Sequence, residues 1–163
     1  NVLAQQVFMM RLNRAKDRGT SVLHMDRWDG AAAGRDRLFA AIEATKSPGI
    51  VTLTGDIHNN WAGNLKKNFE DENSATLGVE FVATSISSGG DGTDTRKSAA
   101  LMKSNNPHIK FFNDQRGYVR HTIGRDRWQA DFRVVDEVTT REAPIKTRKT
   151  LNSERLRPGV LDA

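Results

Sequence analysis

The sequence predicts a mixed α/β fold that is part of a larger sandwich. Residues 50–54 and 79–87 are rich in apolar and β-branched side chains, as strands are. Residues 118–135 alternate in the manner of an antiparallel hairpin, and residues 32–45 carry apolar side chains at helical spacing. Two pairs of strands with few helices are too little sheet for a complete two-layer sandwich, so we expect half a fold.

The first part of the chain contains the apolar segments that lead to the candidate site. Residues 6–12 are apolar and favour a strand. The predicted helix ends at Ser47-Pro48-Gly49, and the continuous apolar run of residues 50–54 favours a buried strand. Residues 61–69 favour a short helix, and residues 79–87 favour a second strand.

The second part of the chain alternates more clearly. Residues 97–104 favour a brief helix, and residues 118–123 and 127–135 favour two strands joined by a three-residue turn that contains glycine. Beyond this hairpin the pattern decays, and we expect residues 139–163 to be a basic, largely irregular tail. We therefore place the folded domain at residues 1–138.

Composition excludes several classes of protein. The 163 residues contain no cysteine, which excludes thiol nucleophiles and cysteine metal sites within them. No stretch approaches the roughly 18 uninterrupted apolar residues of a membrane span, and the first ten residues lack the features of a signal peptide. The net charge of +5 raises the possibility of a nucleic-acid partner. Six cations against three anions in residues 139–163 account for much of it, so we predict no specific nucleic acid.

The segment Gly55-Asp56-Ile57-His58-Asn59 follows the predicted buried strand directly. In an extended backbone alternate side chains share a face, so Asp56 and His58 would point together while Ile57 turns to the core. A carboxylate oxygen beside an imidazole suits a shared metal cation. The same pattern also occurs as ordinary polar residues at the top of a loop, so the spacing alone leaves both interpretations open.

Several longer sequence segments, in a particular order along the chain, surround this loop. They are Trp28-Asp29-Gly30, 35–38, 53–61, 78–90, 106–112, 116–119 and 128–136. This ordered set, over roughly residues 1–140, resembles the carboxy-terminal half of the alkaline phosphatase D (PhoD-like) family, a branch of the calcineurin-like metallophosphoesterases. The resemblance implies a four-layer α/β/β/α sandwich of mixed sheets flanked by helices.

The resemblance also implies the chemistry. It makes Asp56 and His58 metal ligands of a binuclear centre that holds ferric iron and calcium and activates water against small phosphate monoesters or diesters, without a catalytic side chain from this chain. A carboxylate at the position of Asp56 makes such a site harder, which agrees with iron and calcium. The remaining ligands would come from an upstream half of the same protein, so we expect the isolated chain to be inactive. Because members of this family are exported, the resemblance also implies a periplasmic or secreted location.

Two further residues are candidates for substrate binding. Asn59 could bind phosphate oxygens or orient the ligands through its amide, although loop asparagines often satisfy their own turn. His108, in Asn106-Pro107-His108, could contact substrate, although a structural hydrogen bond is the alternative. Two other classes of function stay open: a non-catalytic module that binds phosphate esters, and a basic domain associated with nucleic acid.

Overall fold

The structure is a computed structural model that describes residues 1–16, 20–46 and 49–163. Its strands and helices follow in the order β1 (Val2–Ala4), a 3-10 turn (Trp28–Ala31), α1 (Ala32–Ala44), β2 (Ile50–Thr54), β3 (Asn60–Lys66), β4 (Thr76–Val82), α2 (Ala99–Asn105), β5 (Ile109–Asn113), β6 (Gly117–Ile123), β7 (Arg127–Val134), β8 (Lys146–Glu154) and β9 (Arg157–Asp162). The predicted mixed α/β fold, with two sheets and few helices, is confirmed.

The first sheet has the strand order β1-β2-β4-β3-β5. Strands β1, β2 and β4 run parallel, while β3 is antiparallel to both β4 and β5. Thr54 at the end of β2 pairs with Val82 at the end of β4, and Trp61 at the start of β3 pairs with the same residue. Asn60 pairs with Asn113 at the end of β5. Four strand ends therefore meet at one edge, beneath the loop of residues 55–59.

The second sheet, β6-β7-β8-β9, is antiparallel throughout and packs on the first. Phe132 of β7 lies with its ring centroid 4.7 Å from Phe111 of β5 and 6.3 Å from Phe81 of β4. Offset aromatic pairs of this kind stabilise a core beyond the area that they bury. The predicted hairpin of β6 and β7 is confirmed, and Phe132 lies with Trp128, Ala130 and Val134 on its buried face, as the alternation indicates.

A second core lies on the other side of the first sheet. Helix α1, which matches the predicted helix closely, contributes Phe39 to it. The chain before β2 contributes Phe8, Met9 and Met10, and Phe8 meets Trp61 of β3 edge to face at 5.7 Å. The stop predicted at Ser47 and Pro48 lies outside the described residues.

The predicted strand at residues 6–12 is wrong. Among the described residues before α1, a strand forms only at Val2–Ala4, and the apolar residues that follow it form largely buried, irregular backbone. Buried backbone N–H groups need acceptors, and here side chains supply them instead of a neighbouring strand. Glu80 accepts from Met9 and Met10, and Asp29 accepts from the N–H of Leu12.

The predicted helix at residues 61–69 is also wrong, because residues 60–66 form β3. This strand lies between β4 and β5, and Trp61, Ala62 and Leu65 are buried. Burial on both faces removes the alternation that identifies a strand in sequence, and tertiary pairing overrides the local helical preference. The strand β5 was also not predicted. The predicted strand at residues 79–87 exists but lies at Thr76–Val82.

The expectation of an irregular tail at residues 139–163 is wrong for most of its length. Residues 146–154 and 157–162 form β8 and β9, and β8 pairs with β7 along the second sheet. Exposed cations of β8 and of the turn after it form ion pairs: Lys146 with Asp136, Arg148 with Asp94, Lys149 with Asp162 and Arg155 with Asp126. Alternating charged side chains of this kind hide a strand from an analysis based on apolar patterns. The domain boundary at residue 138 stays a prediction.

Among the described residues, no helix is long and apolar enough to cross a membrane.

Candidate metal centre and the arginine cleft

The loop with the candidate metal ligands is not an extension of its strand. Asp56 and His58 both have positive φ angles, of 74° and 52°, and the residues around them form a series of bends. Strand alternation therefore does not position these two side chains, as the sequence argument assumed. Both are exposed at the sheet edge where four strands end, while Ile57 between them is half-buried and packs against the core.

Left-handed backbone is costly at residues other than glycine, on the order of 1–3 kcal/mol for each. Asp tolerates it better than most residue types, and His is also enriched there. Two such residues within three positions persist only if the surrounding structure holds the loop. The contacts that hold it converge on Asn59 and on the backbone carbonyl of His58.

Asn59 is buried and uses its side-chain amide within the protein. The Nδ2 group donates to the carbonyl oxygen of His58 at 2.9 Å and to a carboxylate oxygen of Asp114. An amide nitrogen has two donor hydrogens, so both are in use. This geometry supports the orienting role for Asn59; its role as a phosphate donor stays a prediction. The neighbouring Asn60 is fully buried and donates to Asn113 at 3.1 Å.

Arg116 connects the loop to the segment that follows β4. Its Nη1 group donates to the carbonyl oxygen of His58, and it also lies 3.3 Å from the hydroxyl of Ser85 and from the carbonyl oxygen of Ser88. Its Nη2 group donates to the backbone of Asp114 at 2.6 Å and to the carboxylate at 3.1 Å. The guanidinium is buried and thus joins three segments around the loop.

A cleft of about 330 Å³ opens beside this loop. His58 and Asn59 lie on one side, with Trp61, Met102 and Phe112 among the apolar residues of its wall. Four cationic side chains share its lining, namely Arg14, Arg27, Arg96 and Arg116. A cleft with charge of one sign concentrates the opposite charge from solution. The chemistry of this cleft therefore favours an anionic ligand.

Burial, followed by repulsion from Arg14, lowers the pKa of Arg27, and attraction to Asp56 opposes both effects. The attraction places the Arg27 guanidinium within electrostatic range of the loop. Neither Arg14 nor Arg27 forms an ion pair with any described residue. Arg96 and Arg116, by contrast, both bind Asp114.

His108 lies away from the loop. It precedes β5, whereas the loop lies at the far end of that strand, roughly 16 Å away at the rise of an extended chain. Its Nε2 group donates to the carbonyl oxygen of Arg11 at 2.8 Å, and its ring packs on Phe69 at 4.8 Å. Burial lowers its pKa to about 4. The structure therefore does not bring His108 together with Asp56 and His58, and its contacts are those of the structural alternative.

The donor set fits a metal ion in part. Asp56 offers a carboxylate and His58 an imidazole, both exposed on one loop, and these are hard and borderline donors for cations such as iron and calcium. Over the residues that the structure describes, no group of three or more His, Cys, Asp or Glu side chains could hold a metal ion. Two ligands rarely suffice for tight binding, so these two residues would not form a complete metal site by themselves.

Sequence reasoning missed the residues that build the cleft. Arg116 lies in one of the segments that carried the family resemblance, but nothing in the sequence indicated that its side chain is part of the site. Arg27, Arg96 and Asp114 lie 28 to 55 positions from the loop of residues 55–59, where spacing arguments do not reach. The one available signal was that Asp114 directly follows the end of β5, because polar residues at strand ends are candidates for a site. This signal could not be used, since the sequence analysis did not identify β5.

The mixed two-sheet fold places an Asp-x-His loop at its strand ends, beside a cleft that attracts anions. The chain belongs to the PhoD-like phosphatase family, whose sequence model matches residues 1–132. It is 43% identical over 160 residues to alkaline phosphatase D of Bacillus subtilis (strain 168), a match that covers 98% of this chain and 27% of the relative. The family resemblance predicted from the sequence is confirmed.

A solved structure of PhoD shares the fold. It superposes on this chain with a TM-score of 0.95 at 42% sequence identity, covering 100% of this chain and 31% of that one. The chain therefore spans less than a third of the length of the proteins that it matches.

Proposed function

We propose that the protein containing this chain hydrolyses small phosphate monoesters or diesters at a binuclear metal centre, and that this chain contributes the loop of Asp56 and His58. The observation that carries the proposal is the cleft lined by four arginines, which opens on that loop in a chain of the PhoD-like phosphatase family. An anionic phosphate drawn into the cleft would lie next to His58, one of the two candidate metal ligands.

We propose ferric iron and calcium as the metals. The carboxylate of Asp56 and the imidazole of His58 would hold them together with ligands from the rest of the protein, in agreement with the small number of ligands that the described residues offer. A pair of adjacent metal ions lowers the pKa of a bound water and neutralises charge on the phosphate. No side chain of this chain is then needed as a nucleophile.

The residues of this chain bind and orient the substrate in this proposal. Arg14 and Arg27, which form no ion pair with a described residue, attract the phosphate group and hold its oxygens. Apolar side chains of the cleft wall, such as Trp61 and Phe112, reduce the access of water and strengthen these charge interactions. On the family resemblance alone, we propose a periplasmic or secreted location.

The alternative is a fragment or binding module that recognises phosphate esters without turnover. One observation favours it for the 163 residues by themselves, because the described part of the chain holds no complete group of metal ligands. The isolated chain would then bind a phosphoester weakly and release it unchanged. Isothermal titration with a phosphoester, followed by an assay for free phosphate, separates binding from hydrolysis.

Replacement of Asp56 tests the enzymatic proposal in the complete protein. Asp56→Asn keeps a residue that tolerates positive φ but removes the charge of the ligand. We expect loss of most phosphoesterase activity and a lower content of iron and calcium by elemental analysis. Asp36→Asn, an equally exposed aspartate on α1, is the matched control and should retain both. Full turnover and full metal content in Asp56→Asn would refute the proposal.

A further inference from the structure

Asp114 lies directly after β5 and forms the centre of a buried polar group beside the candidate ligand loop. Its side chain is only 8% exposed. One carboxylate accepts from Arg96 Nε at 2.7 Å and from Arg96 Nη2 at 3.0 Å, from Arg116 Nη2 at 3.1 Å, and from the amide of Asn59. A buried carboxylate persists in this form only when its charge is matched and its oxygens are hydrogen-bonded.

We propose that Asn59, Asp114 and Arg116, named the Asp114 clamp below, are positioning residues that set the geometry of the His58 imidazole. The inference rests on the proposed function, because it assigns the clamp to the same site. This positioning role requires no contact of the three residues with the metal or the substrate. Their effect passes through the backbone of the loop.

The hydrogen bonds of the clamp converge on one peptide group. The carbonyl oxygen of His58 accepts from Arg116 Nη1 and from Asn59 Nδ2, so two donors fix the peptide that follows the imidazole. Asp114 in turn holds both donors, since its carboxylate accepts from Asn59 and from Arg116. The backbone of His58 is left-handed, with φ of 52°, and would relax to a more favourable conformation without these contacts.

Relaxation of this peptide would turn the imidazole relative to Asp56. Ligand groups that are out of place by a fraction of an ångström bind a metal ion less well, and loss of the groups that orient a ligand commonly reduces metal affinity 10- to 100-fold. Metal affinity therefore tests the clamp. If the three residues contributed only to the stability of the fold, the protein that remains folded in each variant would bind the metal with unchanged affinity.

The first test titrates calcium alone into the metal-stripped complete protein, and into its Asp114→Asn and Arg116→Lys variants. Asp114→Asn removes the charge and one acceptor oxygen of the clamp. Arg116→Lys keeps the charge but replaces the planar fork, whose two Nη groups reach the His58 carbonyl and Asp114 separately, by a single nitrogen. We expect the calcium Kd to rise tenfold or more in each variant, as measured by isothermal titration.

Asp131→Asn is the matched control. Asp131 is buried, with a side chain 4% exposed, and pairs with a half-exposed arginine, Arg120, at 2.7 Å in the second sheet. It resembles Asp114 in burial and partner but lies away from the loop, so its calcium Kd should stay within about twofold of the wild-type value. The thermal midpoints of Asp114→Asn and Asp131→Asn separate a change in calcium affinity from a loss of folded protein. Should Asp114→Asn fail to fold, Asn59→Ala decides, because it leaves the ion pairs intact and should raise the Kd at least threefold.

Asp56→Asn in the same titration separates this inference from the proposed function. If Asp56→Asn weakens calcium binding while the clamp variants bind like the wild type, the clamp inference is wrong and the proposed function stands. If Asp56→Asn binds calcium unchanged, the proposed function fails first. Weak binding in the clamp variants and normal binding in Asp131→Asn support both.

Discussion

Glu80, in the middle of the first sheet, accepts the backbone N–H of Met10 at 2.7 Å from a segment 70 residues earlier in the chain. Its second carboxylate oxygen accepts from the N–H of Met9 at 2.8 Å and from the hydroxyl of Thr54 at 2.6 Å. The side chain is fully buried. One carboxylate thus replaces the strand partner that residues 8–10 lack, and attaches this segment to β4.

The first prediction is that Glu80→Gln destabilises the protein at neutral pH. Met9 and Met10 donate to different oxygens, and a glutamine offers only one acceptor oxygen, so one backbone N–H loses its partner and faces an amide donor. A buried unsatisfied donor costs about 1–3 kcal/mol. Urea unfolding at pH 7.5 measures the change, and an unaltered midpoint would contradict it.

This contact illustrates why sequence analysis misplaced the first strand. The apolar run at residues 6–12 correctly indicates burial, and Phe8, Met9 and Met10 are fully buried. Burial does not specify how the backbone is hydrogen-bonded, however, because Glu80 can satisfy N–H groups that a strand would otherwise pair. Such a long-range acceptor leaves no mark on the local pattern. Helix α1 and the hairpin of β6 and β7 were predictable because their periodicity and turn are local.

The candidate site also has features that local sequence predicts and features that depend on distant residues. The placement of the candidate ligands Asp56 and His58 at the end of β2 was predictable, because both residues and the strand before them lie within nine residues. The left-handed angles at both positions were not, since they depend on Arg116 and Asp114 from beyond β5. Strand alternation predicted that the two side chains share a face, whereas the structure places both residues in left-handed backbone on a loop.

The second prediction concerns the stability of the protein in acid. Burial, together with the nearby charges of Arg11 and Lys110, lowers the pKa of His108 from an ordinary value of 6.5 to about 4, although its backbone hydrogen bond to Arg11 and attraction to Asp29 oppose this. At this residue, the unfolded chain therefore binds more protons than the folded chain between pH 6.5 and 4. The contribution of this residue to stability is complete above pH 6.5 and is lost as the pH falls toward 4, by at most about 3 kcal/mol.

His108→Gln tests this effect, because glutamine can still donate to the Arg11 carbonyl but does not titrate. We expect its free energy of unfolding to fall less steeply than that of the wild type between pH 6.5 and 4. Glu80 acts in the opposite direction over an overlapping range, because burial raises its pKa from 4.5 to about 6, so its contribution declines as the pH rises through that interval. Parallel acid profiles for the wild type and His108→Gln would contradict the prediction.

The third prediction is a large loss of stability on replacement of Asp29. Its side chain is 1% exposed and binds Arg35, itself 6% exposed, at 2.8 Å. It also accepts the N–H of Leu12 at 3.0 Å. Asp29→Asn leaves the Arg35 charge buried without its partner, and breaking a buried pair typically costs about 3–5 kcal/mol.

The matched control for that pair is Glu43→Gln. Glu43 pairs with Lys67 at a similar distance of 2.8 Å, but both side chains are about half-exposed. Pairs of this kind contribute about 0–1 kcal/mol. Denaturant midpoints of the two variants, compared with the wild type, measure the difference. Equal losses in both would show that burial is not the decisive factor for the Asp29 pair.

The last prediction concerns Arg27 and rests on the proposed function. Its Nη1 atom is buried and meets no hydrogen-bond acceptor within the described residues, and its guanidinium lies 5.7 Å from the centre of the Phe8 ring. A cation that lines the cleft and forms no ion pair with a described residue is available for a substrate phosphate. Charge-assisted hydrogen bonds contribute about 1.5–3 kcal/mol, which corresponds to about a tenfold or larger change in binding.

Arg27→Gln in the complete protein should therefore raise KM for a phosphate monoester about tenfold or more, with a smaller effect on kcat, because it removes binding and not a metal ligand. Arg27→Lys retains the charge and should recover part of the loss. Arg157→Gln, a change at an exposed arginine in β9, is the control and should keep the wild-type KM. A wild-type KM in Arg27→Gln would exclude this residue from substrate binding, whereas a matching fall in kcat and metal content would assign it to the support of the metal site.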